Sequence, residues 1–222
     1  MTDPVAARLA AFDACAVSDA LDSLGLEGTV TGLIATLPGR RIAGRVRTLK
    51  LEAGKPAPGT PPRHLGAASI DASSPGDVIV VEQRTGIEAG SWGGLLARAA
   101  LQKGIAAVIS EGALRDVDEA REIGFPVFCR GFTAFTARGR VHEAATDIPV
   151  RIGAVTVETG DYVLADSSAC VFVRPIDVER VIAAAARIAA REAAMIARIE
   201  ADMPISTVLG ADYEHMLDKQ ED

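Results

Sequence analysis

Aromatic side chains make up only 4% of the 222 residues, so any core must be filled by Ala, Val, Ile and Leu. Cysteine is equally sparse. Cys15, Cys129 and Cys170 are widely spaced and odd in number, which excludes a disulfide framework or a zinc cluster; they read as reduced thiols in or near the core of a cytoplasmic protein. Basic charge is in deficit: the net charge of −7 argues against nucleic acid as the primary partner, because phosphate binding needs basic clusters. No run approaches the ~20 apolar residues of a membrane span, and the N-terminus lacks a basic-then-apolar leader. There is no GxGxxG opening a βαβ unit, no GxxxxGK[ST], no HExxH and no GxSxG, so nucleotide, zinc-protease and serine-elbow chemistries have no footing. Lysine is rare as well. Lys55 lies among prolines, and none of Lys50, Lys103 and Lys219 sits in an apolar strand suited to Schiff-base catalysis. His64, His142 and His215 are scattered and read as ordinary surface or loop histidines.

What remains is ordinary globular composition, 49% apolar and 24% charged, in a length that suits one domain spanning 1–222. Asp3, Pro4 and Gly25 bracket a predicted helix over Val5–Leu24. The segment 25–44 is punctuated by glycine and irregular, and a strand follows over 45–51. Residues 55–63, KPAPGTPPR, form an extended loop. A short helix over 64–72, a Pro75-Gly76-Asp77 turn and a buried strand over 78–81 come next. After Asp116 the pattern gives a helical turn or two over 117–123 and a strand over 126–130. A β-rich stretch over 141–173 contains a hairpin-type turn at Gly160-Asp161. Asp177 then caps an alanine-rich helix over about 178–201, ended by Pro204 and followed by a polar tail.

One stretch organises the chain, residues 91–116, SWGGLLARAALQKGIAAVISEGALRD. It reads as a glycine pair, a helix over 95–103 stopped by Gly104, a strand over 105–109 and a polar exit. Gly93 and Gly94 leave backbone N–H groups bare at a helix start, where partial positive charge attracts an anion. Arg115 offers a planar, permanently charged donor fork for a carboxylate or enolate. Its neighbour Asp116 offers the hard oxygen ligands that Mg²⁺ or Mn²⁺ prefers.

Read together, several segments resemble the RraA-like family. They are Val17-Ser18-Asp19-Ala20-Leu21-Asp22, Pro75-Gly76-Asp77-Val78, Gly93-Gly94-Leu95-Leu96-Ala97, Glu111-Gly112-Ala113-Leu114-Arg115-Asp116, Phe125-Pro126-Val127-Phe128 and Gly160-Asp161-Tyr162-Val163-Leu164-Ala165-Asp166. That family holds class II pyruvate aldolases, among them 4-hydroxy-4-methyl-2-oxoglutarate aldolase, oxaloacetate decarboxylases and a regulator of ribonuclease activity. Some of its members have carried the name demethylmenaquinone methyltransferase. The resemblance implies an α/β fold, a swivelling β/β/α domain with mixed sheets and flanking helices, assembled as a homotrimer or hexamer with sites at subunit boundaries. It also implies that backbone amides of Gly93, Gly94, Leu95 and Leu96 hold a pyruvyl carboxylate, that Arg115 is the catalytic contact and that Asp116 anchors Mg²⁺ or Mn²⁺.

The chain departs from the family pattern at three points. Catalytic members resemble an acid, twenty residues, then Arg-Asp, and the acid's place here is Gly94. Ser168-Ala169 stands for a usual Asp-Gly, and Glu111 for a commoner Asp. The implied chemistry is cleavage of a C–C bond beta to the oxo group of a 2-oxo acid, which leaves a pyruvate enolate. Retro-aldol cleavage needs a base for the 4-hydroxyl and decarboxylation of oxaloacetate does not, so Gly94 shifts the expectation toward decarboxylation. A non-catalytic, protein-binding regulator and another metal-dependent enzyme acting on sugar-derived oxo acids stay open. On the C-terminal helix, Val181, Ala185, Ile188, Glu192, Met195 and Ile199 share a face at steps of four and three. Glu192, the one charge on that stripe, is the position the resemblance sends toward the metal site of a neighbouring copy.

Overall fold

The structure, a computed structural model, describes residues 3–59 and 64–209. Residues 60–63 of the proline loop, and the polar tail with His215 and Lys219, lie outside the described residues. In chain order the elements are α1 (Pro4–Leu9), α2 (Ala14–Ser23), β1 (Thr29–Val30), β2 (Ile34–Ala35), β3 (Ile42–Ala53), α3 (Ala67–Ala72), β4 (Val78–Gln83), β5 (Gly90–Trp92), α4 (Gly94–Lys103) and β6 (Ala107–Leu114). They continue with α5 (Val117–Glu122), β7 (Val127–Phe132), β8 (Val141–Thr146), β9 (Val150–Ile152), β10 (Val155–Val157), β11 (Tyr162–Ala165), β12 (Cys170–Val173), α6 (Val178–Glu200) and α7 (Ile205–Val208).

The long strand β3 joins two halves of one mixed sheet. Its first residues pair antiparallel with β11, and Val46–Leu51 pair parallel with β4. From there β4, β6 and β7 run parallel, while β8 lies antiparallel on the end of β3. Strand alternation then sorts the side chains into three cores. Val78, Val80, Val163 and Ala165 point into a central cluster between the two halves, with Val150, Ile152 and Val157 of the small β9–β10 hairpin. Ile79 and Val81 face outward under α3, α4 and α5. Tyr162 and Leu164 face outward on the opposite side, under α1, α2 and α6. Both outer faces therefore carry helices, in the α/β arrangement that the sequence implied. Among the described residues no helix is long and apolar enough to cross a membrane.

Several boundaries differ from the sequence reading, each for a local reason. The single helix expected over Val5–Leu24 is two. Asp13 accepts the Ala16 N–H and Asp166 accepts the Ala14 N–H, so side chains satisfy the donors of a fresh helix start. The strand expected over 105–109 runs on as β6 to Leu114, because Ser110, read as part of a polar exit, is buried and bonded to Ser91. Gly160-Asp161 is not a hairpin turn. It links β10 of the small two-stranded sheet to β11 of the large one, with the Asp161 carboxylate accepting the Glu158 N–H; the hairpin turn sits at Gly153, where φ is +58°. Asp177 makes no capping bond to α6 and instead pairs with Arg180. Cys129 and Cys170 are buried as expected, whereas Cys15 is exposed.

Candidate active site

The site begins with a strand register. β5 lies parallel on β6 with Gly90 opposite Ala113 and Trp92 opposite Leu114. Buried Ser91 fixes that register, its Oγ lying 2.6 Å from Ser110 Oγ and donating to the Ala113 carbonyl at 2.8 Å. The residues that follow each strand, Gly93 and Arg115, are thereby brought side by side, and the Arg115 N–H donates to the Trp92 carbonyl at 3.1 Å.

Helix α4 starts here with Gly93 as its N-cap and no side-chain cap of its own. Asp116 supplies the missing acceptor: the Gly94 N–H donates to Asp116 Oδ2 at 3.0 Å. Asp116 reaches it from a left-handed backbone conformation, φ 58° and ψ 42°, which costs a non-glycine residue about 1–3 kcal/mol. Its other oxygen lies 3.5 Å from Arg115 Nε, and that nitrogen is buried with no hydrogen-bond partner of its own. Proximity favours glycine at these positions. A Cβ on Gly93 would stand 3.0 Å from Asp116 Oδ2 and 3.1 Å from Arg115 Cγ, and one on Gly90 would stand 2.9 Å from Arg115 Cγ.

Gly94 leaves room for something else. A Cβ there would collide with the carboxylate of Glu119, whose Oε2 fills that space. Glu119 sits three residues beyond Asp116, on the same face of α5, and its Oε1 accepts Arg98 Nε at 2.5 Å. The place that lacks an acid in the sequence thus holds one in space. Sequence reasoning missed it. The available signal was the spacing Asp116-x-x-Glu119 at a helix start.

A cavity of about 750 Å³ opens from this corner. Gly93–Leu96, Arg115 and Asp116 line it, together with residues of β8 and the turn before it. His64 and His142, read as ordinary, both line it, and so does Arg138. His142 Nδ1 lies 3.2 Å from the Gly54 carbonyl. Glu192 is elsewhere. It is half-buried on α6, and its carboxyl is raised above the usual range, first by burial and then by Asp13 and Asp19. Asp19 is raised likewise, by burial and then by Asp22 and Asp13. Within one chain, therefore, Gly93–Leu96, Arg115 and Asp116 converge at the cavity while Glu192 does not line it.

The donor set suits a hard divalent ion. Asp116 lines the cavity, and Asp116 and Glu119 both stand against Gly94. Among the described residues no group of three or more His, Cys, Asp or Glu is gathered that could hold a metal ion. One or two carboxylates with space for water is how Mg²⁺ is usually held.

Comparison with known proteins places the chain. The profile of the family described as RraA-like: Aldolase/RraA matches residues 14–172. Protein DlpA of Legionella pneumophila is 34% identical over 152 residues, covering 68% of this chain but only 24% of its own length. The 4-hydroxy-4-methyl-2-oxoglutarate aldolase of Thermus thermophilus is 30% identical over 126 residues, 57% of this chain and 71% of its own. A crystal structure of an uncharacterized protein from Pseudomonas syringae pv. tomato superposes with a TM-score of 0.83 at 27% identity, covering 93% of this chain and 96% of that one.

Proposed function

We propose, from the premise that this chain belongs to the RraA-like family, that it is a carbon–carbon lyase releasing pyruvate from a 2-oxo acid with Mg²⁺ or Mn²⁺. Its reaction is decarboxylation of oxaloacetate, retro-aldol cleavage of 4-hydroxy-2-oxo diacids, or both. The observation that carries this reading is the convergence of the α4 N-terminus, Arg115 and Asp116 at the cavity, with the Glu119 carboxylate packed beside them against Gly94. The name of the Thermus thermophilus relative supports the lyase class.

In this reading Asp116 and Glu119 hold the ion. Bound there, the ion would supply Lewis-acid polarisation of the 2-oxo group. The N–H groups of Leu95 and Leu96, at the positive end of α4, take the substrate carboxylate. Arg115 faces the developing enolate oxygen with a fixed positive charge, a contribution of about 2–4 kcal/mol by analogy with oxyanion donors. In decarboxylation the C3–C4 bond breaks, its electron pair enters the enolate, CO₂ leaves and a proton is then added at C3. In retro-aldol cleavage a base must also remove the 4-hydroxyl proton as the same bond breaks. The lean toward decarboxylation rested on a missing acid at Gly94. With Glu119 filling that space the two reactions stand level.

Glu119→Gln tests the metal half of this assignment without disturbing the fold, since the amide keeps an oxygen for Arg98. It is expected to weaken Mg²⁺ binding, followed by calorimetric titration, and pyruvate release together by about 10–100-fold, the usual cost of losing a supporting carboxylate. Unchanged Mg²⁺ affinity would remove Glu119 from the site.

The same reading makes the working assembly a homotrimer or hexamer in which Glu192 serves the Asp116 site of a neighbouring copy. Two observations support this. Glu192 lies away from the cavity of its own chain, and beyond Ile188 helix α6 leaves Ile196 and Ile199 exposed. Mixed assemblies of inactive Glu192→Gln and inactive Asp116→Ala chains are expected to recover part of the activity, because some sites then combine an intact Asp116 with an intact Glu192. No recovery in verified mixed assemblies, or a monomer in solution, would rule out the shared site.

A further inference from the structure

The Glu119 side chain stays over Gly94 only if something holds it there. It projects from α5, a helix of six residues, and it is partly exposed. A free glutamate in such a setting samples several rotamers and loses that freedom when it is fixed. Asp116 needs no such help, because its Oδ2 already accepts the Gly94 N–H.

The contact that holds Glu119 comes from Arg98. This residue lies four positions beyond Gly94 on α4, hence on the same face, and helical side chains lean back toward the N-terminal turn. At position 94 there is no side chain in the way. Arg98 Nε donates to Glu119 Oε1 at 2.5 Å, so one carboxylate oxygen is engaged from the neighbouring helix. The other, Oε2, accepts no hydrogen bond among the described residues and occupies the place of a Gly94 Cβ. Asp116 Cβ stands 3.2 Å from that same place. One oxygen of Glu119 is thus spent on Arg98, and one is left beside Asp116.

Folding stability is a poor reason for this pair. Both side chains are substantially exposed, where an ion pair contributes little and is weakened by salt. Nor does the charge of Arg98 assist a cation, since a guanidinium beside a carboxylate site repels Mg²⁺. What the contact can do is fix direction, as the hydrogen-bonded partners of metal-ligating carboxylates do.

We propose that Arg98 is a positioning residue for the divalent ion: it grips Glu119 by Oε1 and so keeps Oε2 turned toward Asp116. The inference rests on the reading of the Asp116–Glu119 corner given above and extends it to a residue that touches neither ion nor substrate.

The test is a double-variant cycle read as Mg²⁺ affinity, by calorimetric titration of the full chain with no substrate present. Arg98→Met keeps the length of the stem and removes both donor and charge. In the wild-type background it is expected to weaken Mg²⁺ binding about tenfold, the lower end of what losing an orienting partner costs. In a Glu119→Ala background the same change is expected not to weaken binding further. Its thermal melting is expected to match the wild type. Unchanged or tighter Mg²⁺ binding by Arg98→Met would overturn the proposal, since loss of a repelling charge alone gives that result. An equal loss in both backgrounds would overturn it too, because Arg98 would then act through something other than Glu119. The single Glu119→Ala protein separates the two readings. If it binds Mg²⁺ as the wild type does while Asp116→Ala does not, Glu119 and Arg98 leave the site together and Asp116 keeps its role. If the wild type binds no Mg²⁺, both readings fail.

Discussion

Replacing Asp116 by Ala is expected to abolish metal-dependent pyruvate release, a loss of at least about a hundredfold, while leaving the protein folded. The size of the effect follows from three tasks that converge on one carboxylate. It caps the Gly94 N–H, it stands 3.5 Å from Arg115 Nε, and it is one of the two acids proposed to hold the ion. Stability is expected to change little. The variant loses one hydrogen bond worth about 1 kcal/mol, and it keeps an L-residue in the left-handed conformation already present at φ 58°. Circular dichroism and thermal melting check the fold, and a coupled pyruvate assay checks the rate. Full activity in a folded Asp116→Ala protein would remove the metal from this corner.

Arg115 is expected to show the second largest effect. Arg115→Ala should lower kcat by about 10²–10³-fold, the cost of removing one donor from a developing oxyanion. Arg115→Lys should recover only part of that loss, because an ammonium on a flexible stem cannot reproduce a planar fork. Geometry sharpens the expectation. The Arg115 stem packs where any side chain on Gly90 or Gly93 would stand, so its course is set by the two glycines. Its buried Nε lies 3.5 Å from Asp116 and makes no hydrogen bond. A split between kcat and KM carries the diagnosis: a variant that raises KM alone would make Arg115 an anchor for substrate and remove it from the chemistry.

How far the site was legible in the sequence depends on where each residue's partners lie. Gly93, Gly94, Arg115 and Asp116 could be read because a glycine pair at a helix start and an Arg-Asp pair at a strand end announce themselves in one dimension, and the β5–β6 register needs no long-range information beyond their order. Glu119 could not be read. Its role depends on the empty volume over Gly94, which exists only once α4 and α5 lie side by side. His142 was lost for a similar reason: β8 pairs with the end of β3, so its inclusion in the cavity wall is set by a partner some ninety residues away. At the level of the fold, the unbroken apolar run over 78–81 marked β4, which is buried on both faces. The break between α1 and α2 was hidden because Asp166, far along the chain, supplies one of the acceptors that lets a new helix start at Ala14.

The central claim is that this corner of the molecule performs metal-dependent cleavage to pyruvate. Its most direct measurement is pyruvate release from oxaloacetate and from a 4-hydroxy-2-oxo diacid, with the purified protein, above the rate given by the metal ion alone. The account predicts turnover of at least one of these substrates with Mg²⁺ or Mn²⁺, loss of that turnover on chelation and its return when the ion is restored. A folded, metal-supplied protein that releases no pyruvate from either substrate, or one whose rate is indifferent to chelation, would contradict it.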